Sequence, residues 1–148
     1  MKFLFCAVLL FISVTCNNAD KTPLDKDKEE CITELNLDRK EMLKLEELDL
    51  PPDTNADYNK FVECDSKKKG LMTPSGEILF SGIKKLLFDQ PEVKNIPTNA
   101  LEIFKNIISK AMKVCEEKPL SSNSPGKNMI NVHACVYNEL LSIKKLLV

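Results

Sequence analysis

Four widely spaced cysteines constrain the fold more than any other feature of this sequence: Cys31, Cys64, Cys115 and Cys135. None of them belongs to a Cys-x-x-Cys pair, and the chain has a single histidine. A tetrahedral zinc site would therefore need all four cysteines at once. In an oxidising compartment the same set favours two disulfides, for which three pairings are possible, and it leaves no free thiol for catalysis.

The N-terminus supplies the argument for an oxidising compartment. Met1-Lys2 precede the apolar run FLFCAVLLFISV, which has signal-peptide length and is too short to span a bilayer. We expect a signal peptide over residues 1–16, with cleavage as late as Ala19 as a variant, and one domain over residues 17–148. A bacterial lipoprotein acylated at Cys16 is the rival interpretation, but Thr15 is bulkier than the residue that usually precedes such a cysteine.

Charge and motif content exclude several classes of function. The net charge is only −1, and lysines alternate with acids, which argues against a nucleic-acid surface. No later stretch is apolar enough for an integral membrane segment. The chain has no GxSxG, no glycine-rich phosphate loop and no HExxH. We therefore expect no enzymatic activity, no metal and no cofactor.

The first half of the domain predicts three short helices. Thr22-Pro23 fits a helix start, because threonine caps well and proline is tolerated in the first turn. The segment DRKEMLKLEELD predicts a second helix, which Pro51-Pro52 end. Asp53 or Thr54 would cap a third helix, and Gly70 would end it. The residues expected to face inward on this third helix are Tyr58, Phe61 and Val62.

The second half predicts three more helices. The fourth, from Thr73-Pro74 to Asp89, is apolar on more than one face and fits the wall of a cavity. Thr98 would cap the fifth, whose apolar residues recur every three or four positions. The sixth follows the loop KPLSSNSPGKN and precedes a tail, SIKKLLV. Since no run shows the alternation of a strand, the predicted fold class is all-α: a six-helix, disulfide-stapled bundle enclosing an apolar pocket.

These features together resemble the insect odorant-binding protein family. The stretches CITELNL, LDLPPDTNADYNKFVEC and KKKGLMTPSGEI are similar to the first half of that family. Members with the full set have six cysteines, the second and third separated by three residues and the fifth and sixth by eight. Lys60 stands where the second cysteine would be, and Gly126 stands near the fifth. The chain thus resembles a minus-cysteine member with four cysteines in the mature chain.

The resemblance also implies a disulfide pairing. The missing second and fifth cysteines pair with each other in the family, so their joint loss leaves no orphan thiol. The bridges that would be kept join Cys31 to Cys64 and Cys115 to Cys135. Each would link neighbouring helices of the predicted bundle.

The function implied by the resemblance is that of a secreted, extracellular carrier for a small hydrophobic ligand, such as an odorant, a pheromone or a lipid-like semi-volatile. Micromolar affinity requires about 8 kcal/mol, and a buried methylene contributes about 0.8 kcal/mol, so the ligand needs roughly a dozen carbons. An odorant receptor or a second copy of the chain is a further candidate partner. The ligand-binding residues that we predict are Met72, Leu79, Ile83, Leu87, Phe104, Ile108, Met112, Val136, Tyr137 and Leu140. The alternative is that each is an ordinary core residue.

Three finer hypotheses concern the C-terminal helix. Tyr137 could hydrogen-bond a ligand oxygen. Protonation of His133 near neutral pH could loosen the helix and release ligand, although a half-buried, satisfied histidine is the simpler interpretation. The tail KKLLV could cover the pocket or could be a frayed terminus.

A second class of function competes with the carrier. The chain could be a secreted helical interaction protein, such as a venom, salivary or saposin-like component, without a dedicated pocket. Saposin-like chains usually carry six cysteines that clamp the chain ends together, and that pattern is missing here. The lysines also form no basic stripe suited to anionic lipid.

Overall fold

The computed structural model describes the backbone of residues 25–147, and their side chains except at positions 92, 99 and 143–147. Across this range the chain is all-helical, with one isolated β-bridge between Met72 and Ile78. Six helices have eight or more residues, and α5 is a single turn. In chain order the helices are α1 (Lys26–Glu34), α2 (Arg39–Glu46), α3 (Ala56–Lys68), α4 (Phe80–Phe88), α5 (Pro91–Lys94), α6 (Thr98–Glu116) and α7 (Pro125–Leu147).

Short polar side chains cap the first three helices. The carboxylates of Asp25 and Asp38 and the side-chain carbonyl of Asn55 each accept a hydrogen bond from a backbone N–H in the first turn of the helix that follows. Such caps satisfy donors that have no partner within the helix. The prediction that Asp53 or Thr54 caps the third helix is therefore wrong by one or two positions. The start predicted at Thr22-Pro23 and the leader lie outside the described residues.

The end of α3 agrees with its predicted glycine stop. Gly70 adopts a φ of +66°, a conformation that glycine reaches without steric cost. Its N–H donates to the Lys67 carbonyl at 3.2 Å, and the Leu71 N–H donates to the Ser66 carbonyl at 2.8 Å. This pair of bonds is a Schellman motif, which satisfies the last carbonyls of the helix.

The fourth and fifth predicted helices begin differently from expectation. Residues 73–79 form a turn, in which the Thr73 hydroxyl accepts from the Glu77 N–H at 3.0 Å and Gly76 has a φ of +91°. The helix therefore starts only at Phe80. At the next start the N-cap is Pro97, without a side-chain hydrogen bond, and Thr98 is the first helical residue.

Within residues 25–147, two disulfides join helices in pairs. Cys31 and Cys64 join α1 to α3, with their Cα atoms 5.9 Å apart. Cys115 and Cys135 join α6 to α7, with their Cα atoms 5.8 Å apart. These are the two bridges that the family resemblance implied.

Among the described residues the buried apolar side chains pack in two clusters, and α7 contributes to both. The smaller core lies against α3, and Val62 packs against both clusters. The buried members of the smaller core are Cys31, Ile32, Met42, Tyr58, Phe61 and Ile130. The buried members of the larger core are Leu71, Met72, Ile78, Ile83, Leu87, Val93, Ile96, Phe104, Ile108, Ala111, Met112, Cys115, Met129, Val132, Val136 and Leu140.

The helices α3 and α7 approach most closely at Gly126. A Cβ atom added there would lie 1.8 Å from the carbonyl oxygen of Asn59 and 2.7 Å from its carbonyl carbon. Only a glycine allows this separation, because the atoms opposite it are backbone. The packing of α7 on α3 is also the most extensive between any two helices of the described range.

Candidate functional site

Nine of the ten residues predicted to bind ligand belong to the larger core or pack against it. Eight are buried members of the larger core, and Tyr137 packs against it partly buried. Leu79 is partly buried at the N-cap of α4 and is not a member of the cluster. Side chains from α4, α6, α7 and the turn at Met72 thus form one continuous apolar region. This convergence follows from the helical spacing of apolar residues on which the prediction relied.

Several core residues escaped prediction. Val93 and Ile96 come from the single turn α5 and the loop after it, which are too short to show helical periodicity. Leu71 lies between α3 and the turn at residues 73–79. Ile78, which was expected as an apolar residue of the fourth helix, lies in that turn instead. Met129 and Val132, by contrast, were expected on the inner face of the last helix but were not chosen as wall residues. All six are buried.

A small, partly open cavity lies where the two cores meet, lined by members of both. Its volume is about 50 Å³, whereas ligand pockets commonly measure about 300–1,000 Å³. None of the ten predicted residues lines it. The lining residues are Lys28, Glu46, Leu48, Pro51, Tyr58, Val62, Asp65, Ser66, Met129, Ile130 and His133.

Glu46 is the centre of a buried hydrogen-bond network in this cavity. Its carboxylate accepts from the Lys28 ammonium and, at 2.9 Å, from the Tyr58 hydroxyl. Burial alone would raise the pKa of Glu46, but the positive charge of Lys28 and the hydrogen bonds from Lys28 and Tyr58 outweigh burial and lower it. Burial and the neighbouring Glu46 raise the pKa of Tyr58 far above its ordinary value. Glu46 is therefore ionised and Tyr58 neutral near pH 7.

A second charged group closes another side of the cavity. Asp65 is 5% exposed, and the Lys69 ammonium lies 2.6 Å from its Oδ1 and 2.8 Å from the Oδ2 of Asp25. Burial raises the pKa of Asp65, although the charge of Lys69 acts in the opposite direction. The ion pair compensates a carboxylate that would be costly to bury alone.

His133 lines the same cavity from α7. Its Nε2 atom is buried and has no hydrogen-bond partner among the residues that the structure describes. Burial lowers the pKa of His133 to about 4, and the nearby carboxylates of Glu46 and Asp49 oppose this shift without cancelling it. The ring is consequently neutral near pH 7. This environment does not favour the hypothesis of protonation near neutral pH.

Tyr137 and the C-terminal tail complete the account of the predicted residues. The Tyr137 hydroxyl donates to the Asp49 carboxylate at 3.3 Å, so in this structure its partner is the loop after α2. The backbone of α7 stays helical to Leu147. The segment expected as a separate tail is therefore part of the helix as far as that residue.

Sequence reasoning missed the polar network, although it left a signal. Lys28 lies one turn before the buried pair Cys31 and Ile32, and Glu46 lies one turn after Met42. A charged residue one turn from a buried apolar residue on the same helix face points inward. Applying this rule to short charged helices would have placed both residues inside.

Two searches of the described residues concern metals and membranes. In this part of the chain, no three His, Cys, Asp or Glu side chains lie where they could share a metal ion. No helix within it combines the length and hydropathy needed to cross a bilayer.

Comparison with known families decides the identity of the chain. The sequence model of the PBP/GOBP family matches residues 15–139, which include both disulfides and six of the seven helices in full. The chain belongs to the PBP/GOBP family. This confirms the odorant-binding resemblance at the level of the family. No curated protein and no solved structure matched the chain.

Membership fixes the general class of function. PBP/GOBP proteins are carriers that bind small ligands and are not an enzyme family. In this PBP/GOBP chain the larger core is a continuous apolar region, and the small cavity beside it is lined by both charged and apolar side chains.

Proposed function

We propose that the chain is a secreted carrier that binds one small hydrophobic ligand, of roughly a dozen carbons, within the larger core. The observation that carries this proposal is the convergence of apolar side chains from four parts of a PBP/GOBP chain onto one region. The signal peptide predicted over residues 1–16 would direct secretion. The ten residues predicted from the sequence are the proposed walls.

Ligand entry requires the larger core to open. The cavity beside it, at about 50 Å³, is far smaller than a pocket for a dozen carbons. Met72, Met112 and Met129 belong to the larger core, and methionine side chains adapt their shape more readily than branched ones. We infer that the ligand separates side chains that pack together when the protein is empty.

We also propose that the chain is a minus-cysteine member of its family. Lys60 is exposed and pairs with Asp57, while Gly126 lies in the tight contact between α3 and α7. In place of a disulfide between the second and fifth cysteines, the chain would thus have a close backbone contact between α3 and α7.

Displacement of a fluorescent apolar probe tests the carrier function. We expect the disulfide-bonded mature protein to bind N-phenyl-1-naphthylamine at micromolar concentration and to release it when a twelve-carbon competitor is added. An interaction protein without a pocket would neither bind the probe nor release it. That outcome would reject the carrier and favour the alternative class.

A matched pair of variants tests the location of the site. Ile108→Ala removes a wall of the larger core, and Ile32→Ala makes the same change in the smaller core, at a position that does not line the cavity. Both should lower stability by about 2–5 kcal/mol, so folding is checked by circular dichroism first. We expect only Ile108→Ala to weaken probe binding, by about three- to tenfold. Equal effects would place the ligand elsewhere.

A further inference from the structure

The small cavity and the larger core share a wall. Met129 is a buried member of the larger core and also lines the cavity. Val62 packs against both cores and lines the cavity as well. The flexible Met129 side chain thus separates the larger core from this cavity, called the chamber below, in whose mostly apolar lining the charged groups and the imidazole are those of Lys28, Glu46, Asp65 and His133. Rearrangement of Met129 would connect the two.

The chamber contains unused hydrogen-bonding positions. Lys28 and Tyr58 both donate to Glu46, and Asp65 forms an ion pair with Lys69. His133 Nε2 is buried without a hydrogen-bond partner among the described residues, and the same is true of Asp65 Oδ1 apart from its ion pair. Leaving such a group unsatisfied is costly, since it has lost its hydrogen bond to water. A ligand that supplied the missing bond would recover that cost.

Charge restricts the group that could fill this position. Among the described residues that line the chamber, Lys28 is the one lysine or arginine, and it is already paired with Glu46. Asp65 is a second carboxylate there, and its partner Lys69 does not line the cavity. A ligand carboxylate would therefore face two negative side chains beside a neutral imidazole. An uncharged group meets no such repulsion.

Volume restricts the group further. The volume of the chamber, about 50 Å³, exceeds the roughly 30 Å³ that one water molecule occupies. It is far smaller than the volume of a twelve-carbon chain. The chamber fits a hydroxyl with the carbon that bears it. The rest of such a molecule would have to lie beyond Met129, in the larger core.

We propose that this chamber is a head-group site, in which His133 Nε2 hydrogen-bonds the hydroxyl of an uncharged long-chain alcohol whose hydrocarbon chain occupies the larger core. This assignment rests on the proposed carrier function, and it names the ligand as a neutral alcohol. A hydroxyl suits either tautomer of the ring, because it can both donate and accept.

Three competitors with similar chains test the assignment. Dodecan-1-ol, tridecane and dodecanoate are compared by displacement of N-phenyl-1-naphthylamine at pH 8. A single buried neutral hydrogen bond predicts a three- to tenfold preference for the alcohol over the alkane with the same number of heavy atoms. Equal affinities would reject the head-group site while leaving the carrier intact. Tighter binding of dodecanoate would reject the neutral class, and no displacement by any of them would reject the proposed function itself.

Variants at position 133 connect the preference to the imidazole. His133→Phe keeps the ring but removes its nitrogens, and should abolish the preference for alcohol. His133→Gln places a polar amide at the same position and should keep part of the preference for alcohol. Asn138→Phe, on the exposed face of α7, is the control for a new phenylalanine. An unchanged preference in His133→Phe would overturn the assignment.

A measurement on the unaltered protein covers the case in which His133→Phe does not fold. The chain has one histidine, so its imidazole ¹⁵N signals need no assignment by mutation. Dodecan-1-ol should shift the Nε2 resonance, and tridecane should shift it less. Identical shifts with both molecules would mean that the hydroxyl does not reach the ring.

Discussion

Replacing Gly126 with alanine tests the close contact between α3 and α7. The new Cβ would lie 1.8 Å from the Asn59 carbonyl oxygen. The two helices α3 and α7 must therefore separate by more than about 1 Å before this distance becomes an ordinary van der Waals contact. The atoms opposite are backbone and cannot rotate away. Overpacking of this kind costs about 3 kcal/mol at the upper end of its usual range.

Part of this cost is offset by the intrinsic helix preference of alanine over glycine, which is worth at most about 1 kcal/mol. We therefore expect a net loss of about 2 kcal/mol, or about 8 °C in Tm for a domain of this size. Thermal unfolding followed by circular dichroism, with the disulfides intact, measures the loss.

Gly70→Ala is the matched control for this prediction. It makes the same chemical change, but a Cβ at Gly70 has no atom within 4 Å. Its cost comes from the left-handed backbone alone and is about 1 kcal/mol. If Gly126→Ala were no more destabilising than Gly70→Ala, the helices would not be in the contact described, and the argument from close approach would fail.

Three further perturbations have outcomes set by the structure. The largely buried His133 has a pKa of about 4, against an ordinary value of 6.5. Its contribution to the free energy of unfolding should therefore be complete above pH 6.5 and fall by up to about 3 kcal/mol as the pH drops to 4. Chemical denaturation of His133→Gln should show a smaller loss of stability between pH 6.5 and pH 4. Replacing both Cys115 and Cys135 with serine should lower the free energy of unfolding by about 3 kcal/mol, because the disulfide closes a loop with a sequence separation of 20. A denaturation midpoint equal to that of the unaltered protein would contradict this prediction. Tyr58→Phe removes the 2.9 Å bond to the Glu46 carboxylate and should cost about 1.5–3 kcal/mol in urea unfolding, whereas an unchanged midpoint would show that the bond does not contribute.

Prediction from the sequence succeeded where local periodicity and family spacing agreed. The long amphipathic α6 has buried residues every three or four positions, and burial of that stripe leaves one packing solution. The pairing of Cys115 with Cys135 followed from the family pattern. The apolar region was predicted for the same reason, because its members lie on inner helix faces.

Prediction was limited where one local signal fits two structures. Thr73-Pro74 suits a helix N-terminus and also a tight turn, and Gly76, at a φ of +91°, favours the turn. The bond between Lys28 and Glu46 joins residues 18 positions apart. Such pairings depend on how helices pack, which local periodicity does not specify.

The placement of the two disulfides has a consequence for how the molecule can open. One closes a loop within α1–α3 and the other within α6–α7, and neither of these bridges crosses the seam between α3 and α7. The two halves, α1–α3 and α6–α7, can therefore part without breaking either of these disulfides, and we expect them to open as separate units. Native-state amide exchange should then show two protection levels that change at this boundary, and a guest molecule held in one half would slow exchange there first.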